Sequence, residues 1–154
     1  MQLVLLRHAE AVPGHDLDAD RPLTTRGLQQ AQVMGQLLAA RFDQVRLVAS
    51  PWLRACQTAE QLSVALRASV STLPELTPVG SPEGVAGALE PLWQDDGVLV
   101  VVTHQPLCGR LVNWLVDGRD LGLSVSPCCG ALLELDWPAA GMALRSHWLS
   151  PNPD

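Results

Sequence analysis

The stretch VLVVVT, Val98–Thr103, constrains the fold more than any other part of the sequence. It is apolar throughout and does not alternate with polar residues, so it predicts a central parallel strand that is covered on both faces. A strand of this kind needs one layer of helices above the sheet and another below it. The stretch therefore predicts a three-layer α/β/α sandwich.

Predicted strands and helices alternate along the rest of the chain. Strands are predicted at residues 3–6, 45–49 and 71–76, and helices at 24–42, 51–66, from 81 onward and at 106–116. The helix over 51–66 is expected to have Ser50 as its cap and Pro51 as its first residue. Residues 131–137 and 143–148 alternate in polarity, which predicts an antiparallel pair. We therefore expect a mostly parallel central sheet with helices on both faces and an antiparallel C-terminal edge.

Length, charge and cysteine content narrow the class of protein. The 154 residues predict a single domain over 1–154, and the net charge of −6 argues against a partner that is nucleic acid or a membrane surface. No apolar run is long enough to cross a bilayer and no export signal is evident, so we expect a cytoplasmic protein. The spacing of the four cysteines is not that of a metal site, and neither a metal nor another cofactor is expected. The cysteines are Cys56, Cys108, Cys128 and Cys129.

Polar residues follow three of the predicted strands at the point where each strand ends. Arg7 and His8 follow the first strand, Ser50 and then Arg54 follow the second, and His104 follows the central strand. Ligands of open α/β sheets bind at the carboxyl ends of the strands. A histidine or arginine at one strand end is usually a capped or solvated residue, but the coincidence at three strand ends predicts one pocket.

This set of residues suits a phosphoryl group. Arginine donates two parallel hydrogen bonds to phosphate oxygens and stays charged, and a neutral imidazole nitrogen can attack phosphorus and hold the phosphoryl group covalently. Amides at the start of a helix bind anions, which makes Ser50 a candidate substrate-binding residue. None of this chemistry requires a metal ion.

Several motifs carry a resemblance to a known family. LVLLRHAEA resembles the RHG signature of the histidine phosphatase superfamily, SPWLRACQTAE its second signature, and VVTHQPLCGRLV the block around its second catalytic histidine. DRPLTTRG and LPELTPVG resemble one compact branch of that superfamily, the SixA-type phosphohistidine phosphatases. The resemblance extends from residue 2 to about residue 115, with the motifs in the family's order.

The resemblance implies a role for each matching residue. His8 would be the nucleophile and would become phosphohistidine during turnover. Arg7, Arg54 and His104 would bind the phosphoryl oxygens and stabilise the charge of the transition state. Arg21 matches a further arginine of the pocket in the SixA-type branch, and its alternative is a solvated loop arginine.

The chain departs from the family pattern in two places. Ala9 stands where the signature usually has glycine, and we expect it to adopt an extended conformation that leaves the chemistry intact. The insertion that covers the active site of larger relatives is missing, because little chain separates residues 66 and 97. An open pocket is therefore expected.

Three functions follow from these expectations. The first is a metal-independent phosphatase that works through phosphohistidine on His8 and acts on phosphohistidine of a protein partner, a domain of the histidine-phosphotransfer type. The alternative is a broad phosphomonoesterase that acts on small phosphate esters, and a mutase is disfavoured because it needs a lid. The third is a non-catalytic binding module.

Glu75 is a candidate general acid for ester hydrolysis, or else a residue that caps a turn.

Overall fold

The computed structural model describes residues 1–14 and 16–152, and within them the chain forms six strands and four helices. The strands are β1 Gln2–Arg7, β2 Val45–Ala49, β3 Val70–Thr72, β4 Val98–Thr103, β5 Gly130–Glu134 and β6 Leu144–Leu149. The helices are α1 Thr25–Arg41, α2 Leu53–Leu66, α3 Pro82–Leu89 and α4 Leu107–Asp117. Short 3-10 turns lie at Asp18–Asp20, Pro74–Leu76 and Glu90–Leu92.

The strands form one sheet in the order β3-β2-β4-β1-β5-β6. The strands β3, β2, β4 and β1 are parallel, whereas β5 pairs antiparallel with β1 and β6 with β5. The predicted mostly parallel sheet with an antiparallel C-terminal edge is confirmed. The strand β4 lies between two parallel neighbours and is buried along its whole length, as its apolar sequence predicts.

Alternate residues of the central strands point to two separate apolar cores. Leu99 and Val101 of β4 pack with residues of α3 and α4, and Val100 and Val102 pack with residues of α1 and α2. Two helices therefore cover each face of the sheet, which confirms the three-layer α/β/α sandwich. Both cores exclude water from the central strands, so the polar groups that follow those strands lie at the sheet's edge.

The helix starts agree with the sequence in two cases and differ in one. Thr24 caps α1 by accepting from the amide of Gly27, and Ser81 caps α3 by accepting from the amide of Gly84. The predicted cap at Ser50 is wrong, since α2 begins at Leu53 and the Ser50 side chain accepts from the amide of Trp52 outside the helix. Among the described residues, no helix is both long and apolar enough to span a membrane.

Candidate active site

The carboxyl ends of β1, β4 and β2 lie side by side and bring the predicted residues together. Arg7 is in register with Thr103, and the amide of His8 donates to the carbonyl of Thr103 at 2.8 Å. On the other side of β4, the amide of Ser50 donates to the carbonyl of Val102 at 3.0 Å. Three neighbouring strands therefore deliver their polar residues to one edge of the sheet, as predicted.

The hydrogen bonds of His8 determine which ring nitrogen carries the proton. Nδ1 lies 2.7 Å from the carbonyl oxygen of Ala9, which can only accept, so Nδ1 is the protonated nitrogen. Nε2 lies 3.2 Å from Nε of Arg54, which can only donate. The lone pair of His8 is therefore on Nε2, and it faces a guanidinium group.

His104 lies beside His8, with ring centroids 5.2 Å apart, and is held by Ser50. Its Nε2 lies 2.7 Å from the Ser50 hydroxyl, which also accepts from the amide of Trp52. Among the described residues, the proton of the Ser50 hydroxyl has one acceptor within hydrogen-bond distance, and that acceptor is Nε2 of His104. Ser50 thus donates to Nε2, and the ring proton of a neutral His104 lies on Nδ1.

Both histidines are electrically neutral in the folded protein. Burial, opposed by the hydrogen bond to Ala9 and reinforced by the charges of Arg54, Arg7 and Arg21, lowers the pKa of His8 to about 4. Burial, followed by the charges of His8 and Arg54, lowers the pKa of His104 to about 3. A neutral His8 keeps its Nε2 lone pair available at neutral pH.

This neutrality predicts how stability depends on pH. Because both folded pKa values lie below the ordinary 6.5, the unfolded chain binds more protons between about pH 6.5 and pH 4. The contribution of the two neutral histidines to the free energy of unfolding is complete above pH 6.5. It should be lost as the pH falls, by up to about 1.4 kcal/mol per pH unit for each histidine. Urea unfolding from pH 7 to pH 5 measures this slope. It should be shallower in His8→Ala, and equal slopes in the two proteins would contradict a neutral His8.

Arg54 joins the first turn of α2 to both His8 and the loop between β1 and α1. Its NH1 donates to the carbonyl of Asp18 at 2.7 Å, its NH2 to Oδ2 of the same residue at 3.2 Å, and its Nε to His8. Arg21 donates to Oδ1 of Asp18 at 2.9 Å and to the carbonyl of Val12 at 2.8 Å. Arg21, whose side chain is 27% exposed, is thus linked to Arg54 through the Asp18 carboxylate.

Asp18 is a site residue that the sequence did not reveal. Burial acts to raise the pKa of its carboxyl, but the hydrogen bonds and charges of Arg21 and Arg54 outweigh it and hold the pKa below its usual value. The carboxylate is therefore ionised at neutral pH. Its position three residues before Arg21 was a signal, since that spacing allows the two side chains to meet across one turn.

Two buried donors of the site lack a partner. Arg7 donates from NH1 to the carbonyl of Val125 at 2.9 Å, but its buried Nε has no hydrogen-bond partner in the described ranges. The same is true of the buried Nδ1 of His104. Within residues 1–14 and 16–152 these are the two buried side-chain nitrogen or oxygen atoms without a partner, and both belong to residues beside His8. Buried donors in this condition are typical of a binding site.

The second turn of α2 holds the loop that carries His8. The hydroxyl of Thr58 accepts from the amide of Ala9 at 3.0 Å, and the side chain of Gln57 accepts from the amide of Leu23 at 2.8 Å. These contacts explain why the motif contains Gln and Thr after its arginine. Ala9 is fully buried and is absent from the described residues with positive φ, so its expected unstrained backbone is confirmed.

The candidate nucleophile lies deeper than the expected open pocket implies. His8 is 5% exposed and Arg54 is 4% exposed. The missing insertion leaves the connection from β3 to α3 short, but the turn Asp18–Asp20 contacts Arg54 from the other side. The turn therefore lies beside the arginine that donates to His8.

Glu75 lies at the same edge of the sheet but outside this network. It is exposed, in the turn Pro74–Leu76, which is tied to β4 by the Thr103 hydroxyl donating to the carbonyl of Leu76 at 2.7 Å. Within the described ranges its side chain makes no hydrogen bond, and the turn before Gly80 is closed by a backbone bond from Gly80 to Thr77. Among residues 1–14 and 16–152, no group of three or more His, Cys, Asp or Glu side chains could hold a metal ion.

The chain is similar to known proteins in sequence and in fold. Residues 3–86 match the model of the histidine phosphatase superfamily (branch 1). The chain is 37% identical over 124 residues to the phosphohistidine phosphatase SixA of Escherichia coli (strain K12). These residues make up 77% of this chain and 76% of that protein. It is 30% identical to the phosphohistidine phosphatase SixA homolog of Haemophilus influenzae (strain ATCC 51907 / DSM 11121 / KW20 / Rd), over 98% of this chain and 97% of that one.

A solved structure agrees with these relatives. The structure of the protein histidine phosphatase SixA complexed with tungstate matches with a TM-score of 0.87 and 32% sequence identity, over 98% of this chain and 97% of that chain. The resemblance inferred from the motifs is confirmed by sequence and by fold. The chain belongs to the histidine phosphatase superfamily.

Proposed function

We propose that this chain is a metal-independent phosphatase that removes the phosphoryl group from phosphohistidine on a protein partner, through a phosphohistidine intermediate on His8. The observation that carries the proposal is the pair of unpartnered buried donors, Arg7 Nε and His104 Nδ1, beside a histidine whose lone pair is on Nε2. These donors suit an acceptor-rich group bound next to that lone pair. A phosphoryl group, with three terminal oxygens, is such a group.

The first step transfers the phosphoryl group to the enzyme. The lone pair of His8 Nε2 attacks phosphorus, the new P–N bond forms, and the P–N bond to the partner's imidazole breaks. The leaving nitrogen takes a proton from solvent, which is favourable because an imidazole has a pKa of about 6.5. Arg7, Arg54 and His104 donate to the phosphoryl oxygens as charge develops on them.

The second step releases phosphate. A water molecule attacks phosphorus, its oxygen forms the new bond, the bond to Nε2 breaks, and inorganic phosphate and neutral His8 result. The hydrogen bond from Nδ1 to the carbonyl of Ala9 keeps the ring in one orientation through both steps. Ser50 acts through His104, because its hydroxyl holds the tautomer that leaves the Nδ1 proton for the substrate.

The partner we propose is a phosphorylated domain of the histidine-phosphotransfer type. The relatives from Escherichia coli and Haemophilus influenzae are named for phosphohistidine phosphatase activity, and the SixA structure binds tungstate, a tetrahedral oxyanion like phosphate. Residues 1–154 would act as one histidine phosphatase domain. A cytoplasmic location also stays a prediction. The four cysteines are free thiols: Cys56, Cys108, Cys128 and Cys129.

The test compares substrates at equal enzyme concentration. We expect kcat/KM for a phosphorylated histidine-phosphotransfer domain to exceed that for p-nitrophenyl phosphate and for a panel of sugar and glycolytic phosphate esters. Release of inorganic phosphate measures turnover in every case. A higher kcat/KM for a small ester would favour the alternative, a broad phosphomonoesterase that uses the same site.

Glu75 separates the two functions further. An alkoxide leaving group needs a proton from an acid, whereas imidazole depends on it much less. If Glu75 is that acid, Glu75→Gln should slow ester hydrolysis by about 10² to 10⁴ and phosphohistidine turnover by less than about tenfold. Glu83→Gln, at an exposed glutamate in the first turn of α3, is the matched control. Equal large losses on both substrates would favour the small-ester function, and no loss on either would make Glu75 a turn residue.

A further inference from the structure

The carboxylate of Asp18 lies between Arg54, which the proposed reaction uses, and Arg21. Its Oδ2 accepts from Arg54 NH2 at 3.2 Å and its Oδ1 from Arg21 NH1 at 2.9 Å. Each carboxylate oxygen thus accepts from a different guanidinium. This is the pattern in which two arginines bind an oxyanion, and here the oxyanion is part of the chain.

Each of the three guanidinium nitrogens of Arg54 donates to a group of the protein. Nε donates to His8 Nε2, NH1 to the carbonyl of Asp18, and NH2 to its carboxylate. These contacts use three of its five N–H groups, so a phosphoryl group that makes more than two contacts to Arg54 must displace His8 or Asp18. Displacing His8 from Arg54 frees the Nε2 lone pair for attack on phosphorus. Displacing Asp18 from Arg54 has no part in the bonds that form and break.

The two partners differ in their freedom to move. The Arg54 side chain is 5% exposed and its guanidinium lies 5.0 Å from the centroid of the Trp52 ring, so it is held by packing. The Asp18 side chain is 54% exposed and lies in a single 3-10 turn that contains no buried residue. When an anion binds, the carboxylate is the group that can turn toward solvent.

We propose that Asp18 is a displaceable counter-anion of the phosphoryl site, an inference that rests on the proposed function. It neutralises Arg54 and Arg21 and competes with the phosphoryl group for their donors. It weakens the binding of any oxyanion there, because two anions close together repel each other. Asp18 therefore promotes the release of inorganic phosphate at the end of turnover.

The variant Asp18→Asn tests this competition, because it keeps the size of the side chain and one acceptor oxygen but removes the charge. We expect the dissociation constants of tungstate and of inorganic phosphate, measured by calorimetry, to fall by about tenfold or more. Asp20→Asn is the matched control. It removes the same charge from the same turn, and within the described ranges its side chain has no hydrogen bond to either arginine, so both constants should stay within about twofold of wild type.

Tighter binding is a result that a purely structural role would not produce. If Asp18 only holds Arg54 in place, Asp18→Asn should bind both anions no better than wild type, and that outcome would overturn the inference. A second measurement uses the wild-type protein: the ¹³C resonance of the Asp18 carboxyl should shift on titration with tungstate and that of Asp20 should not. An unmoved Asp18 resonance at saturation would also overturn it. Wild-type protein that binds neither anion would instead overturn the proposed function.

Discussion

Replacing His8 by alanine is expected to abolish turnover of phosphohistidine and of phosphate esters alike. The side chain supplies the only atom that forms a covalent bond to phosphorus in the proposed first step, and alanine has no lone pair to replace Nε2. The remaining donors would still bind the phosphoryl group, because Arg7, Arg54 and His104 reach the site from their own strands and helix. The His8→Ala protein should therefore still bind substrate although it does not hydrolyse it.

The phosphoenzyme provides the direct measurement for His8. Wild-type protein quenched in alkali during turnover should carry a phosphoryl group on His8 that is stable in base and is lost on acid treatment, and His8→Ala should carry none. His147→Ala is the control, because His147 is exposed on the edge strand β6 and contacts Arg41. Activity of His8→Ala within tenfold of wild type would remove the assignment of the nucleophile.

Arg54→Ala is expected to have the second largest effect, a loss on the order of 10² to 10³ in kcat. The Arg54 guanidinium is buried and hydrogen-bonded to His8 Nε2, so it lies where negative charge would develop on the phosphoryl oxygens. Arg54→Lys should recover little of the rate, because lysine lacks the planar set of donors that contacts His8 and Asp18 together.

Single-turnover kinetics measure the effect on the chemical step for these variants. Arg26→Ala is the matched control: Arg26 is an exposed arginine of α1 whose contact with Glu10 spans 3.6 Å, and its removal should leave kcat near the wild-type value. Thermal unfolding of each variant separates lost chemistry from lost structure. A correctly folded Arg54→Ala protein with kcat within about threefold of wild type would show that Arg54 does not stabilise the transition state.

The order and type of the main elements could be predicted because each depends on a local pattern. The strand β4 has the predicted bounds, Val98–Thr103, and β2 has the predicted bounds, Val45–Ala49. Burial of the whole of β4 on both faces makes its residues almost entirely apolar, so its type and its ends are visible in the sequence. The start of α2 was misjudged because the Ser50 hydroxyl contacts His104, 54 positions away, and no local pattern records that contact.

The sequence by itself determined the identity of the groups that can do chemistry here: a histidine and an arginine after one strand, an arginine in the helix after the next strand, and a histidine after the central strand. It could do so because strand ends and family motifs are properties of neighbouring residues.

Only the tertiary structure decided how those groups work. It placed the lone pair of His8 on Nε2 by setting Ala9 and Arg54 on opposite sides of the ring. It also brought the Asp18 carboxylate between Arg54 and Arg21, although Asp18 and Arg54 are 36 positions apart. The physical reason is that hydrogen bonds and charge interactions act over a few ångströms in space, and the distance between side chains from different elements is set by the packing of the whole fold.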